Sequence, residues 1–231
     1  MIQISPLKYV AALRALYGQH ASADNAAQMA RYMKNHFAFF GIKQPERLAL
    51  SRQFIKAHGT PEGEELQEVC QLCFEAEERE MQYFVKDLGS RIIHSQDADF
   101  LDTIEVLMLQ KSWWDTVDFL APKLAGKLLF RFPDRIADYP LRWIKADNRW
   151  LQRAAILFQL DYKAQTDAPL LFDLIRQRAD STEFFVQKAA GWALRQYART
   201  NPETVRAFIR EHELPKLTVR EGMKHLKNER K

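Results

Sequence analysis

At 231 residues, with 47% apolar and 28% charged side chains, the chain can bury a full core and has the composition of an ordinary globular protein. Lysine and arginine number 34 against 30 aspartates and glutamates, and the net charge of +4 is a mild basic excess that permits a nucleic-acid partner without demanding one. No apolar run approaches the length of a membrane span and the opening Met-Ile-Gln-Ile-Ser-Pro-Leu-Lys lacks a signal-peptide core, so a cytoplasmic protein with no membrane partner is expected.

Eight glycines, no Asn-Gly or Asp-Gly turn and no sustained two-residue alternation argue against sheet. Helical periodicity predicts helices over 7–18, 24–38, 45–58, 63–73 and 76–88 in the first part of the chain, with breaks at Gly41 and Gly59-Thr-Pro61. Cys70 and Cys73 fall three apart within the fourth of these. With no second cysteine pair and no histidines at ligand spacing, they read as small apolar core residues rather than a zinc or redox site; no metal and no organic cofactor is expected.

Helices over 97–110 and 113–120 follow, and between them stands Lys111-Ser-Trp-Trp-Asp-Thr-Val-Asp118. Ser112 reads as an N-cap with Asp115 closing a capping box, which accounts for Asp115 and leaves Asp118 unaccounted for. On a helix Trp114 and Asp118 share one face, one turn apart, so an indole wall stands beside an anion, an arrangement suited to a cationic guest.

The remaining predicted helices are 122–131, 134–145, 149–160, 167–178, 183–199, 202–211 and 215–228. Pro122, Pro133, Asp147-Asn148, Thr166-Asp167, Asp180-Ser181 and Asn201-Pro202 mark turns and caps. The basic run from Arg220 to Lys231 reads as a solvated helix face. Trp150-Leu-Gln-Arg-Ala-Ala155 aligns with Phe185-Val-Gln-Lys-Ala-Ala190, identical or nearly so at four of six positions, 35 residues apart. The same interval makes Tyr83, Asp118, Arg153 and Lys188 equivalent. The expected fold is therefore all-α: a solenoid of HEAT-like two-helix repeats, forming a single domain over residues 1–231. Such stacking puts Asp118 beside Arg153, and Trp114, one turn before Asp118, and Trp192, one turn after Lys188, extend the same row. A structural ion pair and a functional site both remain open for Asp118 and Arg153, and a lone tryptophan such as Trp192 is more often core.

Three stretches carry a resemblance: Ser112-Trp-Trp-Asp-Thr-Val-Asp118, Asp147-Asn-Arg-Trp-Leu-Gln-Arg-Ala-Ala-Ile-Leu-Phe-Gln-Leu160 and Phe184-Phe-Val-Gln-Lys-Ala-Ala-Gly-Trp-Ala-Leu-Arg-Gln-Tyr197. With Arg31-Tyr-Met-Lys-Asn-His-Phe37, they closely resemble the AlkD family of DNA glycosylases from about residue 25 to residue 228. The resemblance implies a right-handed solenoid with a concave DNA-binding groove. It also implies excision of positively charged N3- and N7-alkylated purines, such as 3-methyladenine and 7-methylguanine, from duplex DNA, without flipping the base into a protein pocket. On this resemblance Asp118 corresponds to the catalytic carboxylate, Trp114 and Trp192 to aromatics flanking the deoxyribose, Arg153 to a backbone contact near the lesion, and Tyr32 to a DNA-contacting tyrosine. Lys188 and Lys111 are further DNA-binding candidates, with Arg31, Lys34 and Arg149 as other basic residues for the groove.

The chemistry agrees with one essential acid. An alkylated purine is already a cationic leaving group, so the enzyme has only to stabilise an oxocarbenium-like sugar and position water. Nothing singles out a lysine for Schiff-base chemistry, so a monofunctional enzyme, monomeric by default, is expected. The competing expectation is a non-enzymatic HEAT-repeat protein that binds DNA or a protein partner, in which Asp118 and Arg153 form only a structural ladder.

Overall fold

The computed structural model describes residues 2, 4–224 and 226. They divide between Ile92 and Ile93 into two compact units. Among the described residues the structure is helical throughout, and the one β-type pairing is an isolated bridge between Ala38 and Glu78. The expected all-α class of the α-solenoid kind therefore holds.

The first unit contains α1 (Pro6–Gln19), α2 (Ala23–Tyr32), α3 (Gln44–His58), α4 (Gly63–Glu75) and α5 (Arg79–Ile92). α1 packs on α3 and α4, and α5 closes against both of those. Tyr9, Leu13 and Tyr17 of α1 meet Phe54 of α3, Leu66 and Val69 of α4 and Phe84 of α5 in the buried core. Cys70 and Cys73 are free thiols within it, and burial pushes the Cys70 thiol up to about 12.

The predicted helix over 24–38 stops instead at Tyr32. Lys34 and Asn35 adopt φ of 57° and 58°, Lys34 N–H bonds the carbonyl of Arg31 and Asn35 N–H that of Ala30, which is a Schellman closure with lysine at the position glycine usually takes. Beyond it, the carboxylate of Glu80, fully buried in α5, accepts the N–H groups of Phe40, Gly41 and Ile42. A side chain at Gly41 (φ 89°) would collide with backbone of Ser22 and Ala26, so this tight strap requires glycine.

The second unit runs through α6 (Phe100–Leu109), α7 (Trp114–Phe119), a widened turn (Leu120–Ala125) and α8 (Gly126–Arg131). It continues with a tight turn (Pro133–Ile136), α9 (Pro140–Trp143), α10 (Arg149–Leu157), α11 (Ala168–Arg176), α12 (Phe184–Tyr197), α13 (Pro202–Glu211) and α14 (Lys216–Gly222). α10 packs against α7 on one side and α12 on the other, and α12 packs against α14. Every residue of α10 from Trp150 to Leu157 is buried, as befits a helix enclosed by neighbours on all sides.

Asn148, Asp167 and Asn201 cap α10, α11 and α13 through their side chains, as their positions in the sequence lead one to expect. Elsewhere the expected boundaries give way. The predicted helix over 134–145 is split, because the residue before a proline is kept out of the α region and Tyr139, before Pro140, stands at φ −119°, ψ −80°. Pro122 does not end the helix before it. The backbone widens by a π-type turn that accommodates a ring with no N–H to give, and runs on into α8. Helix 76–88 is displaced to Arg79–Ile92. Of the predicted helix over 215–228, α14 ends at Gly222, and residues 225 and 227–231 lie outside the described residues.

The repeat survives in one recurrent bond. Gln82 donates to the carbonyl of Ala76 at 3.1 Å, Gln152 to that of Ala146 at 2.6 Å and Gln187 to that of Ser181 at 2.7 Å. Each glutamine reaches the carbonyl six residues before it, and so ties the turn entering α5, α10 or α12 to that helix.

Candidate active site

The Trp-Trp-Asp stretch folds as predicted in outline and differently at its cap. Ser112 donates to the carbonyl of Met108 at 2.6 Å, closing the end of α6, and Trp113, extended at φ −155°, ψ 167°, takes the N-cap position of α7 without a side-chain cap bond. The expected Ser112–Asp115 capping box is therefore not formed. Aromatic packing fixes the entry instead. The Trp113 ring centroid lies 5.5 Å from that of Trp150 and 5.1 Å from that of Phe185, and Trp150 and Phe185 are 4.8 Å apart. One ring comes from the entry to α7, one from α10 and one from α12, so the triangle pins these three packed helices at one end.

Above that triangle Arg153 reaches from α10 to Asp118 of α7. Its Nε donates to Asp118 Oδ1 at 2.6 Å and its Nη2 to Oδ2 at 2.8 Å, while Nη1 donates to the carbonyl of Phe185 at 2.5 Å. The fork-on-fork geometry fixes the plane of the carboxylate. Arg153 is 5% exposed, but the side chain of Asp118 is 18% exposed. The guanidinium is sealed behind the carboxylate and the carboxylate still meets solvent.

What it meets is an open recess of about 320 Å³, lined by Trp114, Asp118, Arg153, Phe184, Phe185, Lys188, Trp192, Arg195 and Glu221. The α12 contribution is a helical stripe at intervals of four, four and three from Phe184 through Lys188 and Trp192 to Arg195. The structure thus brings together Trp114, Asp118, Arg153, Lys188 and Trp192, with Trp192 half-buried on the recess wall rather than in the core. Two other candidates lie elsewhere. Lys111 sits in the turn before α7 at φ 46° and is not among the residues lining the recess, and Tyr32, 70% exposed, ends α2 in the first unit.

Four lining residues had no role assigned from the sequence. Phe184, Phe185 and Arg195 lie on α12, and extending the stripe from Lys188 and Trp192 finds Phe184 and Arg195. Glu221 gives no such signal. It belongs to the C-terminal run expected to be solvated, yet it is 4% exposed and takes Lys188 at 3.0 Å, Arg195 at 3.2 Å and Lys224 at 2.7 Å. The hydrogen bond from Lys224, with that from Lys188, holds its carboxyl down at about 2 against the opposing effect of burial, so it is anionic at any ordinary pH. A Cβ on Gly191 would lie 2.4 Å from the Cβ of Glu221 and 2.9 Å from the carbonyl of Thr218, and Thr218 donates to the carbonyl of Gln187 at 3.1 Å. Glycine at 191 lets α14 come close enough for Glu221 to enter the recess.

The recess therefore offers an oriented, partly exposed anion between indoles, and a wall on which Lys188 and Arg195 share the carboxylate of Glu221. Among the described residues no helix is long and apolar enough to cross a membrane. A profile described as "DNA alkylation repair enzyme" matches residues 13–226. Among solved structures, a predicted DNA alkylation repair enzyme from Enterococcus faecalis is 35% identical, with 90% of this chain and 97% of that one covered and a TM-score of 0.83. The structure of smu.31 from Streptococcus mutans UA159 covers 90% of this chain and 98% of its own at a TM-score of 0.59, and at 15% identity it shows a shared fold alone. No curated protein matches.

Proposed function

Because the chain belongs to the DNA alkylation repair enzyme family, we propose that it is a monofunctional DNA glycosylase. It hydrolyses the N-glycosidic bond of N3- and N7-alkylated purines, such as 3-methyladenine and 7-methylguanine, in duplex DNA, as the first step of base excision repair. The observation that carries this is the Asp118 carboxylate, locked in plane by Arg153 yet exposed to a recess walled by Trp114 and Trp192.

Alkylation gives the purine a positive charge, so it leaves without an acid to protonate it. The glycosidic bond then breaks towards an oxocarbenium-like sugar. Asp118 stabilises the developing charge and orients or deprotonates the attacking water, so one carboxylate serves both tasks. At about 4 Å and an effective dielectric near 20, a carboxylate is worth about 4 kcal/mol to a neighbouring cation, whereas an indole face gives about 0.5–2 kcal/mol. Asp118 is thus the dominant group, with Trp114 and Trp192 shaping and supplementing the site.

Arg153, expected on the phosphate backbone, has its guanidinium committed to Asp118 and Phe185, which supports a positioning role: it aims the carboxylate. Contact with DNA phosphates falls instead to residues such as Lys188, whose side chain is 36% exposed. Tyr32 and Lys111 remain candidates for binding DNA at other points. Selection rests on lesion charge and bond lability rather than on enclosing a flipped base, since the recess is open and its lining suits a sugar and phosphate.

The test is base release from duplex DNA. Wild type is expected to free 7-methylguanine and to act poorly on the neutral lesion hypoxanthine; comparable rates on both would refute selection by charge. Asp118→Asn is expected to fold, to bind duplex DNA and to release no alkylated base. The ladder interpretation makes the opposite prediction, namely a loss of stability with DNA binding or partner binding as the only activity. Trapping with borohydride should give no covalent complex.

A further inference from the structure

We infer that Glu221 is a positioning residue that holds Lys188 and Arg195 as a two-cation seat for a DNA backbone phosphate on the α12–α14 wall of the recess. The proposal rests on the glycosylase reading for what occupies the rest of the recess, and goes beyond it in assigning the C-terminal helix a part in binding DNA.

Lys188, Arg195 and Lys224 converge on a single carboxylate, leaving a local excess of two positive charges beside a pair, Asp118 with Arg153, that is neutral overall. Arg195 commits one N–H to Glu221 and Lys188 one of its three, so most of their donors stay available. Both side chains are partly exposed, at 26% and 36%, while Glu221 itself is 5% exposed. Shielded anion and accessible cations are the arrangement expected where the cations meet an outside anion and the carboxylate only holds them. Two long cationic side chains of like charge would otherwise repel each other and sample many rotamers, an entropy that a binding event must overcome. A phosphate flanks every deoxyribose, so a sugar against Asp118 must bring one close to the same recess, and its oxygens match the multiple donors of arginine and lysine. The seat depends on α14 pressing against α12 at Gly191 and Thr218, which is what delivers Glu221.

A merely structural role for Glu221 would tie α14 to α12 and nothing more, and the two roles differ in what Glu221→Gln does. That variant removes a negative charge, so its affinity for undamaged duplex should hold or rise. If the seat exists, its single-turnover release of 7-methylguanine should nonetheless fall about tenfold, per molecule shown to be folded by thermal melting. Unchanged release would overturn the proposal. Gly191→Ala displaces α14 without altering any charge and should show the same fall in release. If Glu221→Gln does not fold, Lys188→Met and Arg195→Gln, whose side chains are partly exposed, carry the test. Each should flatten the salt dependence of duplex binding by about one ion and lower release. Adding Glu221→Gln to that pair, in any background that folds, should lower release no further. A slope left unchanged in both single variants, or a triple variant well below the double, would show the seat to be wrong. Failure of the wild type to release 7-methylguanine would instead sink the glycosylase reading, and the salt slopes alone would then decide whether Lys188 and Arg195 bind phosphate.

Discussion

Each unit of the molecule buries an arginine against an aspartate, and the surroundings of the two pairs differ. In the first unit Arg47 of α3 donates to Asp87 of α5 and, at 3.0 Å, to the carbonyl of Tyr83, while Ser51 lies 3.0 Å from the same Asp87 oxygen and 2.8 Å from the Tyr17 hydroxyl. Both side chains are shut away, at 4% and 7% exposed, and burial pushes the Asp87 carboxyl up against the pull of Arg47 and Ser51. In the second unit the arginine is as deeply buried, at 6%, but the aspartate is 18% exposed and faces a recess with two indoles. An enclosed pair of this kind sets which helices pack together. A pair open on its anionic side presents a fixed carboxylate to whatever enters. What sets the Arg153–Asp118 pair apart is thus less the pair itself than its more exposed anionic side.

The largest effect should separate the two aspartates by activity. Asp118→Asn should lower release of 7-methylguanine by about 10³-fold or more, as expected when some 4 kcal/mol of stabilisation of a developing cation is removed. The denaturant midpoint should fall less than for a change at Asp87, because an amide oxygen can still accept from Arg153 and that side chain is partly solvated. Asp87→Ala should do the reverse. Leaving Arg47 charged and alone in the interior should cost about 3–5 kcal/mol of stability, read from urea unfolding, while release per folded molecule stays near wild type. If Asp118→Asn proves the more destabilising of the two, the contrast between them fails.

Smaller changes sharpen the same contrast. Trp114→Leu and Trp192→Leu each remove an indole face and should slow release about 2- to 30-fold, corresponding to about 0.5–2 kcal/mol. A comparable slowing from Phe172→Leu, whose ring stacks on Phe208 at 4.2 Å away from the recess lining, would mean that general packing and not the recess is being measured. The smallest effect is expected at Asn148, which accepts the N–H of Trp150 at 2.8 Å and caps α10. Asn148→Ala should lower stability by about 1 kcal/mol, seen as a modest fall in melting temperature, and leave release within a few-fold.

Much of the site could be read in the chain because its residues stand at a helical or a repeat interval from one another. Trp114 and Asp118 are one turn apart, Arg153 and Lys188 follow at intervals of 35, and Trp192 is one turn beyond Lys188. Those separations put side chains on one face whatever the detailed path of the turns. The helix ends were less legible. The Schellman closure at Lys34 and Asn35 has no glycine to announce it, and Ser112 looked like a cap because its sequence context is that of one, although the hydroxyl found a carbonyl at the end of α6 instead. Glu221 could not be found at all by such means. Its partner Arg195 lies 26 residues away across two helices with no shared phase.

Residue order alone determined an all-helical chain with a recurring unit, and with it the row in which Asp118, Arg153 and Lys188 fall, since periodicity is a property of the chain before it folds. Only the tertiary structure decided that Arg153 turns inward to grip the carboxylate, that Asp118 is left open on one side, and that an acid from α14 enters the recess past a glycine. Exposure and close approach depend on which helices press together, and no interval along the chain encodes them.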